Sequence, residues 1–526
     1  MSLYLGFDCS TQSLSAIVIE VAGDDRRIVF DHSLSFDRDF PEYGTTNGIV
    51  RGEAAGEMLA PPAMWADALD RMMSILALDA SVDITQIRAI SGAAQQHGSV
   101  YLNYRALDAW RTLAHDRQLA PQLAGTFTKE LSPTWMDESA AEQGAAIEQE
   151  LGGADATAQL TGSRAYARFT GAQVRKVHDG NPGAYHATTR VHLVSSFLAS
   201  LLIGGDAPLD PGDASGMNLM DIRSSEWSAE ALDAAAPGLA LKLPNIRPSW
   251  TIAGRLSKYW QDRYSFRPSP VVTWTGDNPS SLIGTGIVGE GHLAVSLGTS
   301  DTVFGFTQEP ALGISHVFGS PNGGFMNLVY FRNGSLTRDW VRHTHSLDWA
   351  GFAAALGQTP AGNGGALMLP WLEAEITPAV QWPGLRRFAY DGLDASQDVR
   401  AVVEGQMMAM ASHSSTITGG LKRLIATGGA SVNLAVLQVM ADVFGVPVDR
   451  LGVGNSACLG AALRALHAHR VISDEPLSWQ SVVKGFTDVR AGDRVLPRSE
   501  NVERYREQRE RYALLEELHI DWQPTG

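Results

Sequence analysis

Residues 3–20 read LYLGFDCSTQSLSAIVIE, and residues 292–306 read HLAVSLGTSDTVFGF. Each is an apolar run, a turn of small and hydroxyl residues, and a second apolar run, which is the pattern of a β-hairpin. The same order in opposite halves of the chain predicts an internal duplication with one hairpin opening each half. At 526 residues the chain is too long for one ordinary core, so two or more domains with a cleft between them are expected.

Each hairpin is followed by β-loop-α units. In the second half RLIAT (423–427) reads as a strand and GGASVN as a loop. LAVLQVMADVF then carries apolar residues at 436, 437, 440, 443 and 444, a helical period closed by Gly445 and Pro447. GNSACLGAALRALHAH (454–469) is a second helix whose small residues suit close packing, and ENVERYREQRERYALLEELH (500–519) is a charged amphipathic helix laid on the surface. The Pro-containing LPNIRPSW (243–250) marks a boundary, giving domains 1–250 and 251–526, and GQTPAGNGG (357–365) reads as a mobile loop.

A formal charge of -16 without a basic run opposes nucleic-acid and anionic-membrane partners. Two cysteines, Cys9 and Cys458, form no disulfide framework or cysteine zinc site, so a reducing, cytoplasmic location is expected. The start YLGFD has no secretory signal pattern. VHLVSSFLASLLIGG (191–205) is short and carries His192 and serines, which predicts a buried helix and not a membrane span.

Walker A, HExxH and GxSxG motifs are absent from the sequence. What remains is the two hairpin turns, a glycine loop and an acidic turn. The turn Gly6–Ser13 offers backbone N–H groups with Ser10, Thr11 and Gln12 to a phosphate, and Asp8 could hold Mg2+ through water; a simple tight turn is the alternative. Gly428 and Gly429 precede a helix, where the macrodipole favours anions and missing side chains admit a nucleotide. In VVTWTGDNPSSLIG (271–284) a strand ends at Gly276, a helix restarts at Pro279, and Asp277 is left in the crevice, as a base or as a helix cap. His97 and Arg168 are ligand candidates with structural alternatives, and His343 and His345 in VRHTHS read as a solvated loop.

Taken in order, GFDCSTQS, FDRDFPEYGTTNG, SGAAQQHGSVY, WMDESAAEQ, LTGSRAYARFTG, DASGMNLMDI, WTGDNPSSLIG, LAVSLGTSDT, IATGGASVN and GNSACLGAALRALH resemble the FGGY family of carbohydrate kinases in the actin-like ATPase superfamily, and within it the eukaryotic branch acting on xylulose. The resemblance implies two actin-like, ribonuclease H-like α/β domains flanking a cleft, with sugar on the first and nucleotide on the second. It implies His97, Arg168, Asp277 and Asn278 as sugar contacts, with Asp277 also the catalytic base. It implies Gly429 and Asn433 near the adenine nucleoside, Trp349 against the base, and the turns Asp8 to Gln12 and Gly298 to Thr302, including Thr299 and Ser300, around the phosphates. The expected reaction is ATP- and Mg2+-dependent phosphorylation of D-xylulose. A ribulose-type or polyol kinase and an actin- or chaperone-like ATPase with a protein partner are the alternatives. The partners are then a small sugar and ATP, with a homodimer left open. The chain departs from common bacterial relatives at Val174–His178, which lacks their Lys-x-x-Trp, and in WMDESAAEQ, which lacks the arginine often seen after Trp-x-Asp.

Overall fold

The computed structural model describes residues 2–313, 315–417, 419–451, 454–489 and 492–521. Strands of the first sheet are β1 (Ser2–Cys9), β2 (Ser13–Ala22), β3 (Asp25–Ser35), β4 (Ile87–Ala94), β5 (Ile252–Arg255), β6 (Pro270–Val272) and β7 (Thr275–Gly276). Those of the second are β8 (His292–Leu297), β9 (Asp301–Thr307), β10 (His316–Gly319), β11 (Phe325–Phe331), β12 (Arg423–Thr427), β13 (Val448–Arg450) and β14 (Arg494–Val495). The first sheet runs β5-β6-β4-β1-β2-β3, with β7 also beside β4; the second runs β10-β11-β9-β8-β12-β13-β14.

The duplication expected from the two hairpins extends to topology. In each sheet a three-stranded antiparallel meander is followed by a strand parallel to its first member, β4 beside β1 and β12 beside β8. A further parallel strand comes next, β6 or β13, and an antiparallel edge strand, β5 or β14. Strand β10 has no counterpart in the first sheet.

The central strands are apolar on both faces because both faces are covered. Along β1 the period of two sends Leu3, Leu5, Phe7 and Cys9 into a core with the helices α1 (Pro62–Leu78) and α2 (Val194–Ile203). Tyr4, on the opposite face, joins Cys458, Leu459, Ala462 and Leu466 of a helix from the other end of the chain. In the second sheet, Leu293, Val295 and Leu297 face one core while Ala294 packs with Leu282 on the other side.

Two helices make this exchange, α3 (Asp277–Gly284), which follows the first sheet, and α4 (Ser456–Ile472), which follows the second. The small residues of α4 let it lie directly on β1, since a side chain at Gly6 would overlap the backbone of Cys458 and Ala462. Arg464 of α4, 2% exposed, donates to the carbonyls of Gly92 (3.0 Å) and Thr273.

Several expectations change. Residues 252–276, beyond the expected boundary at 250, add β5, β6 and β7 to the first sheet, so the change of sheet falls between Gly276 and His292; LPNIRPSW is a connection inside the first unit, with Leu243, Pro244 and Ser249 buried. The stretch 357–365 is pinned: Glu404 accepts from Gly362 N (3.0 Å), and Arg504 and Gln508 donate to Ala361 O (2.9 Å) and Gly362 O (2.6 Å). Its glycines serve left-handed turns at Gly362, Gly364 and Gly365, and composition alone could not tell that use from mobility. His343 lies in the last turn of the helix Ser335–Thr344, exposed but not in a loop, and His345 caps that helix and is held 3.1 Å from Asp398.

The apolar stretch behaves as expected: α2 is buried apart from its final residue. No helix among the described residues is long and apolar enough to cross a membrane. The C-terminal helix Ser499–His519 lies on the second unit's surface and buries Tyr505 and Tyr512.

Candidate active site

Asp277 is the first residue of α3, two positions earlier than the helix expected to restart at Pro279. Pro279 fits inside the first turn because N–H groups there have no intrahelical partner. Gly276 occupies the cap position, so Asp277 is free of that duty and turns its carboxylate to a cavity. Its Oδ1 accepts from Asn278 N (2.9 Å) and Asn278 Nδ2 (3.2 Å), and Asn278 Nδ2 also donates to Gln96 Oε1 (2.9 Å). Burial pushes the Asp277 carboxyl up to about 6, against the lowering effect of N–H donors from Asn278 and Gln96.

That cavity, about 390 Å³, brings together four predicted sugar contacts: His97, Arg168, Asp277 and Asn278. Its far wall comes from the second unit, through His316, Tyr330 and Arg332, so it belongs to both units and not to the first alone. His97 holds a left-handed backbone (φ 71) in the turn three residues past β4, and its Nδ1 lies 2.6 Å from Gly216 O. A carbonyl can only accept, so Nδ1 carries the proton and Nε2 is left as an acceptor. Burial and then the Arg168 charge lower the His97 pKa to about 3, so the ring is neutral.

A second cavity, about 610 Å³, is walled by Gly298, Thr299, Trp349, Gly429 and Asn433, with Arg338 and Ser335 beside them. Trp349 is 47% exposed on its rim. Gly428, on the same loop, is left-handed (φ 82), and a Cβ there would sit 2.6 Å from Leu297 O; its role is to bring the loop onto β8. Asn433 caps the following helix, accepting from Ala435 N at 3.0 Å. Ser300 shares the Gly298–Ser300 turn but does not wall the cavity. Gly429 has nothing within 4 Å of where a side chain would begin. Gly429→Val is therefore expected to fold normally and fill cavity space, raising the KM for ATP about tenfold or more with the sugar KM near parental; equal rises in both would point to a global defect.

The first hairpin turn is more self-contained than its composition suggested. Ser10 Oγ lies 3.0 Å from Ser13 Oγ, Thr11 Oγ1 accepts from Trp135 Nε1 (2.7 Å), and Gln12 is exposed. Asp8 is buried, its Oδ1 meets no partner, and its carboxyl is pushed well above the usual range by burial and then by the nearby Asp277 charge. Asp277 is near enough for its charge to raise the Asp8 carboxyl, and a pair of carboxylates with one orphan oxygen suits a hard divalent cation. The described residues contain no cluster of three or more acidic, histidine or cysteine ligands. Such an ion would complete its shell with water and phosphate oxygens, the usual habit of Mg2+.

Sequence reasoning missed Gln96, His316, Tyr330, Arg332 and the pair that fixes the second turn. There Arg338 forks onto Asp301 at 2.7 and 3.0 Å, both side chains 1% exposed. Gln96 stood inside the quoted SGAAQQHGSVY and Asp301 inside LAVSLGTSDT; His316, Tyr330 and Arg332 carry no local signal, because only the packing of the second sheet against the first brings them to the site.

Residues 129–284 match the N-terminal domain, and residues 293–469 the C-terminal domain, of the FGGY family of carbohydrate kinases. The chain is 41% identical over 476 residues to a xylulose kinase of Rattus norvegicus, covering 88% of each chain. It is 40% identical over 490 residues to xylulose kinase 2 of Arabidopsis thaliana, covering 89% of this chain and 87% of that one. Among solved structures, a xylulose kinase from Rhodospirillum rubrum superposes with a TM-score of 0.82 at 19% identity, over 98% of both chains. A Plasmodium falciparum glycerol kinase with ADP superposes at 0.77 and 17% identity, over 99% of both.

Proposed function

The chain belongs to the FGGY family of carbohydrate kinases, and from that premise we propose that it phosphorylates D-xylulose at its terminal hydroxyl, giving D-xylulose 5-phosphate and ADP. The observation that carries the chemistry is Asp277, a carboxylate at the wall of a cavity shared by the two units, with His97, Arg168 and Asn278 on the same wall. In this reading Asn278, Arg168 and the Nε2 of His97 hold the sugar hydroxyls. Asp277 accepts the proton of the terminal hydroxyl as its oxygen bonds to the γ-phosphorus of ATP, and the bond from that phosphorus to the bridging oxygen breaks to release ADP. The turn Gly298–Ser300 and the loop at Gly429 and Asn433 hold the nucleotide, with Trp349 against the base. Asp8, Ser10, Thr11 and Gln12 face the phosphates. Asp8, with Asp277 close by, would hold Mg2+, which neutralises phosphate charge. The two walls of the cavity exclude water, a competing acceptor.

We also place the working domain division after residue 284, where the first sheet and its last helix end, and not at 250. A cytoplasmic location fits two cysteines that are both buried and free. The net charge of -16 argues against nucleic acid as a partner. A homodimer is an assembly to be read by light scattering.

The test is ADP release across a panel of ketoses and polyols, with and without Mg2+. Release is expected to require both a ketopentose and Mg2+, with the largest kcat/KM for D-xylulose. A larger value for ribulose or glycerol would overturn the substrate, since one inverted hydroxyl changes only one or two hydrogen bonds. Turnover indifferent to every sugar would favour an ATPase acting on a protein partner.

A further inference from the structure

We propose that His316 is a positioning residue for the sugar site: a neutral imidazole, delivered by the nucleotide-binding unit, whose Nε2 holds the Arg168 guanidinium at the cavity wall. The proposal rests on the reading of Arg168 as a sugar contact and names what sets its pose.

His316 opens β10, the edge strand that the first sheet does not duplicate. That strand is docked on the first unit: Val317 N donates to Gly162 O (3.0 Å), and Gly319 N donates to Ser215 Oγ (3.1 Å). The imidazole, 8% exposed, lies between two partners from the first unit, with Nδ1 3.2 Å from Ser163 Oγ and Nε2 3.3 Å from Arg168 Nη2. A guanidinium has only donors, so Nε2 must accept. The ring proton then sits on Nδ1 and is donated to Ser163 Oγ, and Ser163 thereby selects the tautomer that can receive Arg168.

The aromatic surroundings complete the setting. The Tyr166 ring lies edge-on 5.1 Å from His316, and Arg168 lies over Tyr166 at 4.8 Å and over Phe169 at 5.4 Å. Burial, then the charges of Arg168 and His97, hold the His316 pKa well below its ordinary value, so the acceptor lone pair persists at neutral pH. A neutral acceptor has a specific advantage over a carboxylate here: it orients a long, rotamer-rich side chain without neutralising the charge that ligand hydroxyls meet. Because the acceptor comes from the other unit, Arg168 is set only when the two units are packed as they are here.

The test uses the full chain with sugar and ATP each varied. Arg168→Met raises the sugar KM if Arg168 is a sugar contact; an unchanged KM would remove that reading and this proposal with it. Given a rise, His316→Phe is expected to raise the sugar KM about 10- to 100-fold, with the ATP KM within about twofold. His316→Gln, whose amide carbonyl can still accept, should recover most of the loss. Ser163→Ala, which frees the tautomer, should raise the sugar KM several-fold, and His316→Phe should add nothing in the Arg168→Met background. The proposal is overturned if Ser163→Ala and His316→Phe leave the sugar KM at the parental value, or if His316→Phe costs as much without Arg168 as with it. Should His316→Phe lose the fold, the contrast between His316→Gln and Ser163→Ala decides: two parental KM values overturn the proposal.

Discussion

Asp277→Asn should lose about 10²- to 10⁴-fold in kcat while still binding sugar, the usual range for removal of a general base. Asn keeps the shape and the oxygen that receives Asn278 N, but it cannot take the proton of the attacking hydroxyl. Calorimetric titration of sugar paired with ADP release from the same preparation separates binding from turnover. A kcat near parental would take Asp277 out of the chemistry. The alternative role as a cap is already weakened, because Gly276 holds the cap position.

The same carboxyl ties activity to pH and to stability. The base form is populated above about pH 6, so kcat/KM should fall tenfold per unit below that value, and this acid limb should vanish from the residual rate of Asp277→Asn. For stability the sign is opposite to that of a salt-bridged acid. The native carboxyl binds its proton more tightly than the unfolded one, near 3.9, so native stability declines as pH rises from about 4 to about 6. Asp277→Asn removes that penalty and should be more stable at pH 7 by roughly 1–3 kcal/mol. A gain of a few degrees in Tm at pH 7 that closes by pH 4 is the expected signature; no gain at pH 7 would mean the carboxyl is better solvated than its surroundings indicate.

Local patterns in the sequence were enough to read the hairpins, the unit RLIAT–GGASVN–LAVLQVMADVF and its Gly445 stop, because period and cap chemistry are written in neighbouring residues. Asp277, His97, Arg168 and Asn278 were found by motif, and they meet at one cavity. Three features were not local. Residues 252–276 return to the first sheet after a Pro-rich connection, and Pro composition signals a turn without saying which sheet the chain rejoins. The glycines of 357–365 resemble a linker until Glu404 and Gln508, far along the chain, are seen to bind them. His316, Tyr330 and Arg332 reach the Asp277 cavity only through contact between the units.

That contact is set by a helix crossing, and Gly460→Ala should show its weight. At the crossing of α3 and α4, a side chain at Gly460 would overlap the Ser280 carbonyl, and one at Gly284 would overlap the Ser456 carbonyl. Each obstacle is backbone, which cannot rotate away as a side chain could, so one methyl must spread the helices. Overpacking of this kind costs typically 1–3 kcal/mol, and more where both elements are already buried. Two readouts should move together. Tm should fall by several degrees, and kcat should fall in the protein that remains folded, because α3 carries Asp277 at its first residue and a shift of about 1 Å is enough to spoil a reacting geometry. Gly357→Ala is the control: it is also helical but meets nothing within 4 Å, so helix propensity should leave that variant at least as stable as the parent. If Gly460→Ala matched this control in both Tm and kcat, the crossing would have slack, and the position of Asp277 would have to be set from the first sheet alone.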